Sequence, residues 1–502
     1  MSNAKKPQSN AKKPQSSVKK PQSSVKKPQS SVKKPQNGIK KLPAPAPALL
    51  YRGKALLTPP LGLRTADMIA IGCIMLACLF WLRDRNIFAD TTLSFSLAYL
   101  DGHVFDFFRH NRTIFANYSI VPDHLQPLYL LIALWNAPFR LSGPIGQTAM
   151  GAPLPSPALV TWNSLLPVVF FVLCAVTLYK IARLIAQGQD PAKWSVFLFF
   201  SSPLAIYIIF MAPSNYDIFF LTFMMLGLHA FLQRRHWHFI LWFALATAFE
   251  FHALLPFMAL LLLDEKKLWK LLRGLLAAAA PALICVALTL PDPGCAAGER
   301  LQRLIRVFQA YPIKIGPMMT PLFVAVAYLT VCIFARAKHA GEDERERQKY
   351  AVLLPLAAMS IVFIYMSPDM KWVGLTAPWL ALAFLFSPSG TFSLLFETAG
   401  TAAVFLRVLA ASAKLCPPQA ILPYIDAVTL LWLLSPFLLQ LLEWKKVTWP
   451  APGLFKTQAG YARLRCYGGL AFYLLPIILE RAGTAWFPDA FQKLCRAVSG
   501  VG

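Results

Sequence analysis

From residue 66 onward the sequence is a succession of apolar runs rich in Leu, Ala and Phe, separated by short charged or polar loops. Several runs are long enough to cross a hydrocarbon core of about 30 Å as helices rising about 1.5 Å per residue. No other feature narrows the fold as far. Within a bilayer every backbone amide needs a partner inside the protein, so such a chain forms helices or a closed barrel. Alternation with period two is absent, which leaves helices. Composition agrees, with 57% hydrophobic and 14% charged residues among 502 and a mean hydropathy of +0.51. The expected fold is an all-α polytopic membrane protein.

The net charge of +26 has the look of a nucleic-acid signal until it is located. Residues 1–54 hold thirteen Lys and one Arg with no acid, more than half of the excess. This stretch is a seven-residue repeat, SNAKKPQ and then SSVKKPQ, decaying through NGIKKLPAPAPA. One proline per repeat and little apolar mass rule out a packed core or coiled coil. Residues 1–60 are therefore expected to be a disordered basic tail on the cytoplasmic side, and 61–502 the membrane domain. The Lys–Lys pairs suit anionic lipid headgroups. Nucleic acid is not an expected partner, because no aromatic residue interleaves the lysines. The nine cysteines show no CxxC or Cys/His spacing, so neither a metal centre nor a disulfide framework is expected. An N-terminal apolar core of the kind a cleavable signal peptide needs is absent.

With the tail inside, the first span (66–82, ADMIAIGCIMLACLFWL) exits to the extracytoplasmic face and opens a large loop, 83–156. The run 127–139 reaches only about 20 Å as a helix, short of the core. If instead 127–139 is a half-membrane or interfacial helix, the next span, 158–178, runs inward and Lys180, Arg183 and Lys193 fall inside. The run 194–211 then goes outward to Pro213-Ser-Asn-Tyr-Asp217, and 218–232 returns to QRRHWH. Residues 239–263 begin and end beside basic residues, so two short helices should meet near Glu250-Phe251-His252 on the outer side. The next spans are 272–290, 318–334 and 351–365, followed by further ones near 372–387, 391–411, 422–443 and 467–480. The total is about thirteen spans, with the N-terminus cytoplasmic.

This topology brings Asp90, Asp106, Asp123, Asp217, Glu250, Asp369, Lys314 and Lys371 to one outer face. Ionisable groups near membrane depth are functional candidates. Each has a plainer reading. Asp90 precedes Thr-Thr-Leu and a helix expected to be amphipathic, with Leu93, Leu97 and Leu100 on one face, so it suits an N-cap. Asp101 precedes Gly102 and suits a turn. Asp106, in VFDFF, has less reason to be a solvated carboxylate. Asp217 suits a cap of the next span. Asn111-Arg-Thr and Asn117-Tyr-Ser match glycosylation sequons, a pattern common by chance.

Carboxylates beside cations and aromatic rings at such a face suit sugar transfer from a lipid-phosphate donor. A carboxylate acts as general base on an acceptor hydroxyl, and Arg or Lys stabilises the departing phosphate. Arg109, Arg112, Asp123, His124, His252, Lys314 and Lys371 are the substrate-binding candidates, with Asp217. No Gly-rich phosphate loop is present.

The order of features resembles the GT-C superfamily of polyprenyl- or dolichyl-phosphate-sugar-dependent membrane glycosyltransferases, most of all bacterial relatives of the GPI-anchor mannosyltransferases. The likeness rests on LAYLDGHVFDFF, DHLQPLYLLIALW, SSPLAIYIIFMAPSNYD, ALATAFEFHALLPFMALLLL and SPDMKWVGLTAPWLALA, across roughly residues 66–384. It implies Asp90 as the catalytic base, Asp106 as the next candidate, and Asp217 as the second external acidic position. It also implies a polyprenyl-phosphate sugar donor, a glycan or lipid acceptor, and a bacterial inner-membrane location. Relatives differ on a divalent cation, which stays open as a cofactor. The sequence departs from the family pattern at Gln126-Pro127, at Glu250 and at Asp369-Met-Lys-Trp372. A transporter or flippase for a lipid-linked saccharide, and a non-catalytic membrane scaffold, are the competing readings.

Overall fold

A computed structural model describes residues 64–77, 91–116, 122, 124–141, 146–147, 153–154, 156–186, 189–206, 216–295, 319–338, 343–365 and 373–386. It also describes short pieces at 399–400, 402–403, 428, 431–438 and 467. The chain divides into Met1–Gly53 and Lys54–Gly502. All described residues belong to the second unit, so the repeat tail lies outside them.

The described structure is all-α apart from one antiparallel pair, β1 (Gly146–Gln147) and β2 (Pro153–Leu154). Its helices are α1 (Thr65–Ala77), α2 (Thr91–Leu100), α3 (Phe107–Ile114), α4 (Gln126–Leu141), α5 (Pro157–Ala186), α6 (Gln189–Phe200) and α7 (Pro203–Ile206). There follow α8 (Ile218–Leu232), α9 (His236–Phe249), α10 (Leu254–Asp264), α11 (Leu268–Thr289), α12 (Met319–Ala337), α13 (Glu344–Tyr365) and α14 (Ala377–Ala383).

Helices α8 to α10 fold as antiparallel neighbours, and small residues set how closely they approach. A Cβ at Gly227 of α8 would come within 2.5 Å of the Phe243 ring on α9, and Phe243 is fully buried. The chain reverses between α9 and α10 through a 3-10 turn, Phe251–Ala253. This is the bend that the flanking cations predict. Phe243 and Phe257, seven residues on either side of Glu250, meet across it with ring centroids 5.3 Å apart.

The bundle has two chemically distinct ends. At one end the turns after α8, α10 and α12 are tied by charge. Arg347 on α13, fully buried, donates to the Phe231 carbonyl at 3.0 Å and pairs with Glu344 at 3.2 Å and Asp264 at 3.4 Å. Lys266 donates to the Arg336 and Lys338 carbonyls at 2.7 and 2.8 Å, so a cation closes the C-terminus of α12. The other end holds Tyr216, Glu250 and the turn after α11.

Helix α5 runs parallel to α8, from the Glu250 end to the Arg347 end. Asn163 bonds Tyr216 at 2.7 Å, Thr222 bonds the Phe170 carbonyl at 3.0 Å, and Lys180 acts electrostatically on His229. Helix α4 starts beside Glu250 and meets α5 within the first turns of α5, so it stays in the Glu250 half. Its contact with α5 is reciprocal: Trp135 and Trp162 stack at 4.8 Å, each indole N–H donating to the other's carbonyl. Beside them Asn136 donates to Asn163 at 2.9 Å.

Two helical stretches, Ala158–Ala186 and Leu268–Thr289, are long and apolar enough to cross a membrane. Helix α11 exposes much of its apolar surface, with Leu276, Leu283, Ile284 and Leu288 each more than half exposed. Such a surface is unfavourable in water and marks a contact with lipid or protein.

Two expectations change. Helix α2 is not amphipathic: residues 92–98 are buried all round, the serines included. Ser96 manages this by returning its hydroxyl to the Leu93 carbonyl at 2.6 Å. The run 194–211 is not one helix within its described part. It breaks at Ser201-Ser202, because the residue before Pro203 is driven out of helical geometry.

Candidate functional site

The site end is assembled from the first loop and two distant turns. Helix α2 ends in a left-handed Gly102 (φ +92°). The His103 amide bonds the Ala98 carbonyl at 2.9 Å and the Gly102 amide bonds Tyr99 at 3.2 Å, the paired closure of a glycine-terminated helix. Asp101 is thus turn chemistry, as its place before Gly102 predicts. Helix α3 follows, with Phe107, Phe108 and Asn111 turned inward and Arg109 and Thr113 outward. Asn111 is buried, and its side-chain amide donates to the Phe107 carbonyl at 3.0 Å, so that sequon does not offer its nitrogen for glycosylation.

What holds α3 comes from 184 positions away. The buried carboxylate of Asp292 accepts the Phe108 amide at 2.6 Å and the Arg109 amide at 3.1 Å. It also accepts the Gly294 amide at 2.8 Å. A carboxylate at a helix N-terminus satisfies amides that have no partner in the helix and complements the positive end of its dipole. Gly294 lies so close that a Cβ would run into the backbone of Phe108 and Arg109.

Asp106 stands at the N-cap of α3 without capping it. Its carboxylate accepts from His103 Nδ1 at 3.1 Å and Arg109 Nη2 at 3.2 Å. Weak burial opposes ionisation, but these hydrogen bonds and charges outweigh it and hold Asp106 below the usual carboxylate range. Sequence placed Asp106 among aromatic rings. Instead Phe105 points away, 87% exposed, and the carboxylate sits in a half-exposed local ion cluster. His103 and His110 stack with centroids 3.6 Å apart. Burial, and then the charge of His103, lower the His110 pKa.

The second cluster joins the loop before α4 to the bend before α10. His124 Nδ1 donates to Glu250 Oε1 at 2.8 Å, and His252 Nδ1 lies 3.7 Å from Oε2. The Glu250 carboxyl is 23% exposed. Burial works to raise its pKa, yet the His124 hydrogen bond, His252 and their positive charge prevail and bring it down to about 2. A carboxylate held so low is a poor proton acceptor near neutral pH. Glu250 positions the imidazoles instead, fixing each with its Nδ1 toward the carboxylate. The His124 amide donates to the Tyr129 hydroxyl at 3.1 Å, and the Tyr129 ring meets Phe107 of α3 at 5.0 Å. An aromatic wall thereby joins the two polar clusters.

Among the candidates, Asp106 and Arg109 come together on α3, with Arg112 one turn along. His124 and His252 come together on Glu250. Asp217 takes the N-cap position of α8, beside Tyr216, without a side-chain capping bond. Asp90, Asp123, Lys314, Asp369 and Lys371 lie outside the described residues. Among the described residues no group of three or more His, Cys, Asp or Glu is placed to hold a metal ion. Sequence reasoning missed Asp292, whose Asp-Pro-Gly setting is a turn signal. It also missed the Trp-Asn dipeptide, present at both 135–136 and 162–163, that clasps α4 to α5. No protein-family model matches this chain, and no curated protein matches it.

Proposed function

We propose that the protein is a GT-C-type membrane glycosyltransferase of about thirteen spans in a bacterial inner membrane. It moves a hexose, with mannose the leading candidate, from a polyprenyl-phosphate donor to a lipid or glycan acceptor at the extracytoplasmic face, with inversion. One observation carries the reading. The first-loop helices fold onto the turns at Glu250 and Asp292, gathering carboxylates, imidazoles and guanidiniums at one end of an apolar bundle. A lipid-phosphate sugar requires that combination, with an apolar path for the prenyl chain and a charged site at its head.

In this reading Asp90, immediately before α2, is the general base that takes the acceptor proton as its oxygen attacks the anomeric carbon. Asp106 is the next candidate, although its hydrogen bonds to His103 and Arg109 depress its basicity. Arg109 and Arg112 offset the charge of the departing phosphate. His124 and His252, oriented by Glu250, are suited to hydrogen-bonding sugar hydroxyls. The test is transfer of labelled sugar from donor lipid in isolated membranes. Asp90→Asn should abolish transfer at unchanged protein level, whereas wild-type turnover in that variant removes Asp90 from the role.

The second reading, a transporter for a lipid-linked saccharide, is favoured by the buried, hydrogen-bonded Asn136–Asn163–Tyr216 trio, which places polar side chains between α4, α5 and the segment leading into α8. It predicts sugar-lipid crossing vesicle membranes with no new glycosidic bond.

A further inference from the structure

At the Arg347 end, α9 and α11 begin side by side and run in the same direction. Their first turns expose two tryptophans, Trp237 at 64% and Trp269 at 74%. The Arg273 guanidinium lies 5.3 Å from the centre of the Trp237 ring, so the two helices share one aromatic and cationic collar. Trp269 and Arg273 are four residues apart and fall on one helix face. That face continues upward as bare hydrocarbon through Leu272 and Leu276, and on α9 Leu241 repeats the pattern one turn above Trp237.

Charge at the collar is not balanced internally. Lys270 pairs with Glu265 at 3.1 Å, Arg234 with Glu344 at 2.7 Å, and Asp264 with Arg347 at 3.4 Å. Among the described residues no carboxylate pairs with Arg235, Lys267 or Arg273, and all three are exposed. The surface is thus cationic at the rim, aromatic just inside it and aliphatic beyond. An anionic phospholipid has the complementary sequence of parts, from phosphate through glycerol ester to acyl chain. Tryptophan favours the ester depth of a bilayer, and Lys and Arg reach from there to phosphates.

We propose that the α9–α11 collar is a binding site for an anionic phospholipid, with the headgroup held by Arg235, Lys267 and Arg273 and an acyl chain along Leu241, Leu272 and Leu276. It is distinct from the transfer site at the opposite end and does not depend on sugar chemistry. It rests on the membrane part of the function proposed above.

The test uses the full chain purified in detergent and native mass spectrometry with phosphatidylglycerol or phosphatidylethanolamine of matched acyl chains. The wild type should retain phosphatidylglycerol preferentially, and each cation removed should weaken that retention about fivefold. Lys267→Gln with Arg273→Gln is the test variant. Arg345→Gln with Lys349→Gln removes the same charge elsewhere and should leave retention unchanged. Equal retention of the two lipids by wild type, or equal loss in both variants, overturns the site. Alkaline carbonate extraction separates the two failures. Release of the protein from membranes overturns the membrane reading and this site together, whereas firm retention without lipid preference overturns this site alone.

Discussion

Glu250 stands where two opposed effects are large, and the balance is measurable. Burial favours the neutral acid, while His124 at 2.8 Å and His252 at 3.7 Å favour the carboxylate. The pairing prevails, taking the pKa from 4.5 to about 2. A carboxyl with a depressed folded pKa stabilises the fold fully above its unfolded value, and loses that contribution as pH falls through the folded value. The stabilisation should therefore be complete above pH 4.5 and fade toward about 2. Its size is on the order of 3 kcal/mol. Glu250→Gln should unfold earlier than wild type at mild acidity, with the gap narrowing across that window in detergent melting curves. A gap independent of pH would mean that shape, not charge, is what the substitution removes. The sequence identified this glutamate as part of an outer acidic face but not its partners, because His124 is 126 positions away. Asp292 was harder still. It resembles any Asp-Pro-Gly turn residue until α3 is seen resting on it.

Among the elements, close approach between helices is set by single residues. Gly227 lets α8 and α9 approach until the Phe243 ring fills the space a Cβ would occupy. Overpacking of this kind costs about 1–3 kcal/mol when the neighbour is rigid, and Phe243 is also held against Phe239 and Phe257. Gly227→Val should lower the thermal midpoint. Pairing it with Phe243→Leu should recover part of the loss, because the clash disappears while Phe243→Leu alone leaves a small void. Additive losses in the double variant would show that the two positions do not compete for space. Helices α8 to α10 and their bend were legible from the sequence, because cations at 234–235 and 266–267 bracket an apolar stretch too long for one short span. Helix α2 was misread as amphipathic. Serine looks like a surface residue in a pattern, yet Ser96 is buried by turning its hydroxyl back to its own helix. The Ser201-Ser202 break was readable from Pro203, but the apolar run on both sides concealed it.

For the whole molecule, polarity is sorted between two ends. Exposed Phe105, Asp106 and Arg109 lie with the first-loop helices near Glu250, whereas Arg234, Glu344, Arg347 and Lys266 tie the turns at the other end. The charge-based topology anticipated this sorting for the segments that follow residue 157. It did so because cations flank each of those turns and are costly to move across a bilayer. The tail, most of the chain after residue 386 and the carboxylate nominated as base lie outside the described residues. Sidedness can still be tested with the two ends that are described. In a background without the nine native cysteines, Phe105→Cys places a thiol on an 87% exposed position beside α3. Glu346→Cys places one on the exposed first turn of α13 at the opposite end. With intact cells, a membrane-impermeant maleimide should modify Phe105→Cys at once and Glu346→Cys only after permeabilisation. If a bilayer lies between the ends, as proposed, a charged reagent cannot cross its hydrocarbon. Reversed labelling would invert the sidedness and move the proposed transfer site to the cytoplasm. Equal labelling of both without permeabilisation would mean that no bilayer lies between the ends, which removes the membrane premise on which lipid-phosphate donor chemistry depends.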